Sequence, residues 1–399
     1  MTVTLESREE PRARNRVLRY FPVTFLLTLQ YGLFVVLPGV RNGRTNSVVL
    51  TIICVGLVSS LTIEVILLLA GWQRGRTSRK YAFLNLRSCM LLTAVGFTAI
   101  SVSFILSESY ATQVGQSNRS AFEALLSPFV PWAVMGPVLI VFLAQRGEVA
   151  RNRAVMVVAV CILVRLGLSI LDGITASGMT YGFVLSATAL LFGVIRMRTL
   201  VVLLLLAFLL WPLVAGLRNE TRVRLGADSA SIALMQSASA ERLDLDRLMT
   251  RVDRIPEGSL DIETPGVFDV IRYGLVPRFL DQGRPVLWTS REISSALGGS
   301  YTNSDTLTLF GNLYAGSGFG ALVMYCSAAA VAIGASVRTQ HPLGAVFFAG
   351  LVGSVLWIES TVPDNLVGFL QACVSVLLGW LALRAFGFKW RSRAPRMPN

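Results

Sequence analysis

Ten stretches of this chain are apolar for close to the length a helix needs to cross a bilayer. That repetition decides most of what the chain can fold into. The stretches are residues 20–40, 48–70, 88–107, 128–144, 154–171, 178–195, 199–216, 314–336, 342–358 and 365–385. About 20 apolar residues cover a hydrocarbon core, and the stretch VVLLLLAFLL (201–210) has no charge at all. Mean hydropathy is +0.62. Only 15% of the 399 residues are charged, against about 25% in a soluble domain. The fold class expected is an all-α polytopic membrane protein of about ten transmembrane helices, one domain over 1–399. The stretch 128–144 carries Pro128, Pro131 and Pro137 and reads as kinked or partly re-entrant.

The net charge of +13 raises nucleic acid as a partner, and the placement of the charge argues against it. Thirty-four of the 36 cations are arginine, and most lie in short links between apolar stretches. With the N-terminus cytoplasmic, the links on that side hold 21 cations and the short links on the other side hold 3. This bias predicts both termini inside. The link 217–305 carries 11 arginines, but long links translocate largely regardless of charge. It is expected to be a long extracytoplasmic loop containing short helices. The first apolar stretch is too long for a cleaved signal, follows Glu6, Glu9 and Glu10, and lacks a small-residue cleavage site. Cys54, Cys89, Cys161, Cys326 and Cys373 all fall in apolar stretches, so no disulfide framework is implied.

Within the loop, Leu245, Leu248, Met249, Val252 and Ile255 recur at helical spacing opposite Asp244, Asp246, Arg247, Arg251 and Asp253. A helix over 229–252 is expected. It either lies on the outer surface or caps the bundle, or it packs on the loop's own core. Next comes PGVFDVIRYGLVPRFLDQGRPVLWTS (265–290), with Arg272, Arg278 and Arg284 at steps of six. Arginine forks match phosphate oxygens and stay charged. The cluster therefore suits a lipid-linked phosphate or pyrophosphate, or else plain contact with anionic headgroups. The final part, 289–323, is rich in Gly, Ser, Thr and Asn, and Gly316, Gly318 and Gly320 would permit close helix packing.

Two charges fall inside apolar stretches. Arg165 sits in VCILVRLGLSI and Glu64 in SSLTIEVILLL. An intramembrane charge is costly and marks function by default. The alternatives are a structural Glu64–Arg165 ion pair and snorkelling of Arg165 towards Asp172.

Order and motif together carry a family resemblance. Hydrophobic helices around a short basic turn (Gly182–Arg198–Leu217) precede a long loop beginning with Arg218. LVPRFLDQGRP (275–285), the stretch Ser294–Tyr301 and GNLYAGSGFGAL (311–322) follow. Over about 150–335 the chain resembles the O-antigen polymerase, or oligosaccharide repeat-unit polymerase, family of the bacterial envelope. The stretch ASGMTYG (176–182) departs from it in lacking an arginine.

The resemblance implies a glycosyltransferase that moves a glycan from one undecaprenyl-pyrophosphate carrier onto the next carrier-linked repeat unit. It would act on the outer face of the bacterial plasma membrane, without nucleotide sugar, metal or other cofactor. It also implies a lipid-linked oligosaccharide as substrate, and a chain-length regulator or flippase as possible partners. Arg284 and Arg278 are the catalytic cations and Arg165, Arg218 and Arg272 hold the pyrophosphate on this reading. Asp305 is the first-choice base, with Asp281 and Glu292 behind it. Tyr301 and Tyr314 stack sugars or form an aromatic belt.

Other readings stay open. The family's ligases use an outside histidine, and the one histidine here, His341, falls in a predicted cytoplasmic turn, where it reads as solvated. A metal-dependent mannosyltransferase wants acids in the first outside loop, which reads VRNGRTN. A transporter or flippase predicts internal repeats, and none is seen. The N-x-S/T matches at Asn118 and Asn219 carry no weight without a eukaryotic secretory context.

Overall fold

A computed structural model describes residues 20–44, 46–70, 81, 83–106, 125–172, 175–224, 245–260, 265–276, 280–281, 289–297, 307–338 and 341–391. Among them every ordered element is helical, and each of the ten apolar stretches holds a helix over most of its length. The elements are α1 (Pro22–Arg41), α2 (Ser47–Leu69), α3 (Leu86–Leu106), α4 (Trp132–Gln145), α5 (Arg151–Leu171), α6 (Thr175–Leu191) and α7 (Met197–Arg224). The short helices α8 (Asp246–Met249), α9 (Val267–Leu275) and α10 (Thr289–Ala296) follow, then α11 (Leu309–Arg338), α12 (Pro342–Ser354) and α13 (Val362–Arg391).

Among the described residues seven helices are long and apolar enough to span, and an eighth if the bent pair in α7 counts as one. With 17 and 13 residues, α6 and α12 reach roughly 26 and 20 Å at 1.5 Å per residue. They fall short of a full crossing. α4 opens with a 3₁₀ turn, Ser127–Phe129, so Pro128 and Pro131 precede its first α-helical turn and only Pro137 lies inside it.

Small residues set the closest approaches, as expected where no water drives helices together. A Cβ on Gly96 would sit 2.1 Å from Ala133 N, and one on Gly136 would sit 2.1 Å from Thr93 Oγ1, so α3 and α4 touch backbone to backbone. A Cβ on Gly56 of α2 would sit 2.5 Å from the Phe310 ring of α11. That ring stacks on Tyr31 of α1 at 4.2 Å between centroids. Polar groups tie the remaining layers: Tyr181 Oη donates to Ala133 O (2.8 Å) and Trp132 Nε1 to Ser375 O (2.9 Å).

α1 begins with Pro22, which tolerates the missing amide bond. The next two amides are capped from outside the helix: Glu64 of α2 accepts from Val23 N (2.8 Å), Thr24 N (3.2 Å) and Thr24 Oγ1 (2.7 Å). The carboxylate answers both the orphan donors and the positive end of the helix dipole. Glu64 is therefore a cap, and the Glu64–Arg165 pair considered from sequence does not form. Midway, α1 widens into a π turn at Gly32–Val36, where Phe34 O accepts from Leu245 N of the loop (2.8 Å).

His341 also departs from expectation. Its Nδ1 accepts from Leu343 N (3.1 Å), capping α12, and its ring packs on Tyr81 (5.1 Å) and Trp380 (5.4 Å). Partial burial and the nearby Arg384 charge push its pKa below the ordinary imidazole value.

Two predictions follow from this packing. Gly56→Val should lower the detergent melting temperature through overpacking against Phe310, at a cost of about 1–3 kcal/mol. The folded state favours neutral His341, so its contribution is complete above the unfolded value near 6.5 and is lost as pH falls below it. His341→Asn caps without titrating there and should flatten that acid-side decline in melting temperature.

A candidate functional site at the loop end of the bundle

Two breaks in regular structure build this end. The first lies where α11 begins and the chain leaving α12 turns back. Thr308 has φ +74, a left-handed conformation rare for a β-branched residue. Neighbouring groups hold it: Leu307 N donates to Asn312 Oδ1 (3.0 Å) and Asn312 N to Thr308 O (2.8 Å). Leu309 N donates to Ile358 O (2.6 Å) and Phe310 N to Tyr31 Oη (2.8 Å). Gln30 of α1, fully buried, donates to Leu356 O (2.9 Å) and accepts from Ile358 N (3.0 Å). One side-chain amide thus replaces the helix bonds that the chain loses after Ser354.

The second break is Gly318 inside α11, with φ 78 and ψ −175, a region open essentially to glycine alone. Loop residues take up the freed groups. Gly258 N donates to Tyr314 O (3.1 Å), Leu260 N to Ala315 O (2.9 Å), and Phe319 N to Glu257 Oε1 (2.8 Å). A Cβ at 318 would lie 2.6 Å from Glu257 Oε1, whereas Gly316 and Gly320 face open space. The glycine-rich segment therefore makes a docking break for the loop, and close helix packing is not its use. Tyr314 packs edge-on against Phe319 across the break (4.9 Å).

The loop's first described part caps the bundle. Leu245, Met249 and Val252 are buried on a short α-helix and 3₁₀ turn (Asp246–Met249, Thr250–Arg254). This settles the choice for that part of the predicted 229–252 helix; 225–244 lie outside the described residues. Asp246, 1% exposed, faces Asn42 Nδ2 (3.4 Å) and Arg44 (3.7 Å). Beside it, Val35, Gly39, Arg44 and Thr250 line a cavity of about 10 Å³, room for roughly one water.

The sequence-derived site residues separate. α7 runs to Arg224, so the loop's expected start at 217 is helical and Arg218 belongs to the last turns of α7. Arg218 and Asn219 are each 1% exposed. Arg218 Nε and Nη2 both donate to Asn219 Oδ1 (3.2 and 2.9 Å), which fixes the plane of the guanidinium. Asn219 Nδ2 is buried with no acceptor among the described residues. Only a dismissed glycosylation match touched Asn219 in the sequence; its position directly after the loop's first arginine was the usable signal.

Arg272 is exposed on α9 and pairs with Asp281 at 2.5 Å, which raises its pKa above the ordinary arginine value. Asp281 is 7% exposed, and its Oδ2 has no hydrogen-bond partner among the described residues. Two candidates for different roles are thus partners of each other. Arg165 lies half-buried on α5, with Asp172 and Tyr181 as its electrostatic neighbours. Glu292 is half-buried on α10, which Asp364 anchors to α13 by accepting from Thr289 Oγ1 (2.8 Å). Arg278, Arg284, Tyr301 and Asp305 lie outside the described residues. Among the described residues no three His, Cys, Asp or Glu side chains converge as metal ligands do.

This end of the bundle thus offers a desolvated, oriented guanidinium, a second guanidinium paired to a carboxylate, and a loop docked on a broken helix. Such groups can hold a phosphate and accept a proton. No family model, curated protein or solved structure matches the chain.

The Gly318 break is testable by a double-mutant cycle. Gly318→Ala should cost about 1–3 kcal/mol for the backbone conformation, plus the clash with Glu257. In a Glu257→Ala background the clash disappears and the strain stays. The penalty for Gly318→Ala, read from melting temperatures, should therefore shrink without vanishing.

Proposed function

We propose that this protein is a membrane glycosyltransferase that polymerises undecaprenyl-pyrophosphate-linked oligosaccharide repeat units. It would work at the outer face of the bacterial plasma membrane, with the loop end of the bundle outside and both termini cytoplasmic. The observation that carries the reading is the buried Arg218–Asn219 pair at the end of α7. A guanidinium withdrawn from water and fixed in plane gains electrostatic strength. It needs little reorganisation when charge develops on a leaving pyrophosphate. The arginine-biased charge distribution and the motif order support the same reading.

In this mechanism an acceptor hydroxyl of one unit attacks the anomeric carbon of the carrier-linked glycan. A C–O bond to the acceptor forms, and the C–O bond to the pyrophosphate breaks with its electron pair leaving on the phosphate oxygen. The hydroxyl proton goes to a carboxylate. Asp281 has its buried Oδ2 without a hydrogen-bond partner among the described residues while Arg272 holds Oδ1, and it would take the proton there; Asp305 remains the candidate from sequence order. Arg218 holds the pyrophosphate, joined on sequence grounds by Arg278 and Arg284, with Arg165 and Tyr301 as further contacts.

Arg218→Lys keeps the charge and loses the fork. Polymer formation should fall roughly 10²-fold or more, the scale of one lost transition-state donor, while gel filtration and melting stay close to wild type. Glycan profiling of the deletion strain tests the reading itself. Loss of polymer with single repeat units surviving on the carrier is expected. Loss of all attached glycan with carrier-linked units present on the outer face would instead indicate ligase-type transfer, and loss of surface glycan with intracellular accumulation of units would indicate transport.

A further inference from the structure

The helix α9 has two unlike faces. Its inner face is fixed on α13: a Cβ on Gly274 would lie 2.5 Å from Leu370 Cβ, and Gln371 Nε2 donates to Tyr273 O (3.1 Å). Its outer face is apolar and bare, with Val267 75%, Phe268 88%, Ile271 44% and Leu275 51% exposed. Residues 267, 268, 271 and 275 share one side of a helix. Leu280, just beyond, is 69% exposed.

Position along α13 says what covers that face. Leu370 lies eight residues into α13 from Val362, roughly 12 Å along the axis, inside the span Val362–Ala385. From Leu370 the same stripe of α13 continues through Val374, Leu377, Leu378 and Leu381, all exposed and apolar. A spanning helix with a bare apolar stripe faces lipid. α9 occupies the upper end of that stripe, so its outer face continues the lipid-facing surface. Arg272 and Asp281 supply a polar flank at the same level, as interfacial helices require.

We propose that α9 is an interfacial helix whose outer face is inserted among the acyl chains of the leaflet on the loop side. It is the element that sets the height of Arg272 and Asp281 against the headgroups. This stands on exposure and depth alone and does not depend on the glycan-transfer reading.

Benzoylphenylalanine in place of Phe268, in the full chain in native membrane vesicles, reports what touches that face on irradiation. Phospholipid adducts, identified by mass, are expected to dominate. An adduct to a second copy of this chain or to another polypeptide would overturn the proposal, because the face would then be a protein interface. Irradiation with no adduct would overturn it too, since it would place the face in water. The same probe at Val267 serves if the 268 variant does not accumulate, and benzoylphenylalanine at buried Tyr273 should yield intramolecular crosslinks only.

Discussion

In hydrocarbon a backbone amide or carbonyl without a partner costs several kcal/mol, and this bundle meets that demand at several of its helix ends and breaks. Each break is answered by a particular side chain or loop residue. Glu64 caps the start of α1, Gln30 bridges the chain after α12, Asn312 and Tyr31 hold the start of α11, and Glu257 caps its second half. The answers come from distant parts of the chain, so they double as tertiary joints. Gln30 lies 328 residues from the Ile358 amide it accepts from. The loop end of the bundle is shaped by this accounting before any chemistry is asked of it.

The helical fold was legible because hydropathy over about 20 residues is a strong local signal; each of the ten apolar stretches holds a helix over most of its length. Their sufficiency as spans was less legible. Run 342–358 is apolar throughout, yet the helix stops at Ser354 and the next residues stay buried in non-helical backbone. Nothing local separates the two halves of that run. The difference is made by Gln30, far away in sequence. The same holds for Glu64: its composition marked it as costly and therefore meaningful, but a cap on another helix has no signature in its own segment. Gly318 stood among three glycines with equal claims; its left-handed backbone and the approach of Glu257 separate it from Gly316 and Gly320.

Of the candidate site, residue types were easier to read than roles. Arginine spacing picked out Arg272, and proximity in sequence picked out Asp281. Their ion pair depends on how the chain turns after α9. Arg218 was placed at the head of a loop, when it lies on a helix with its guanidinium fixed by the next residue. Adjacent residues on a helix ordinarily point about 100° apart, so an Arg–Asn neighbour pair gives little hint of contact.

Arg218 and Arg272, two of the arginines at the loop end, differ in what each would contribute to the proposed pyrophosphate departure. Arg272 is exposed, and water and Asp281 already screen its charge, so its field on a nearby phosphate falls towards the value in solution. Its stronger effect is on Asp281, whose Oδ1 it holds, leaving the buried Oδ2 without a hydrogen-bond partner among the described residues. Arg218 is withdrawn from solvent, where one unit of charge acts several-fold more strongly at equal distance. Its fold has already borne the cost of removing it from water, and Asn219 limits the rotation that would dissipate its orientation. On the proposed reaction, stabilisation of the leaving group therefore falls to Arg218 and positioning of the proton acceptor to Arg272. The arginine whose side chain lies nearer to water is the one that acts through another residue.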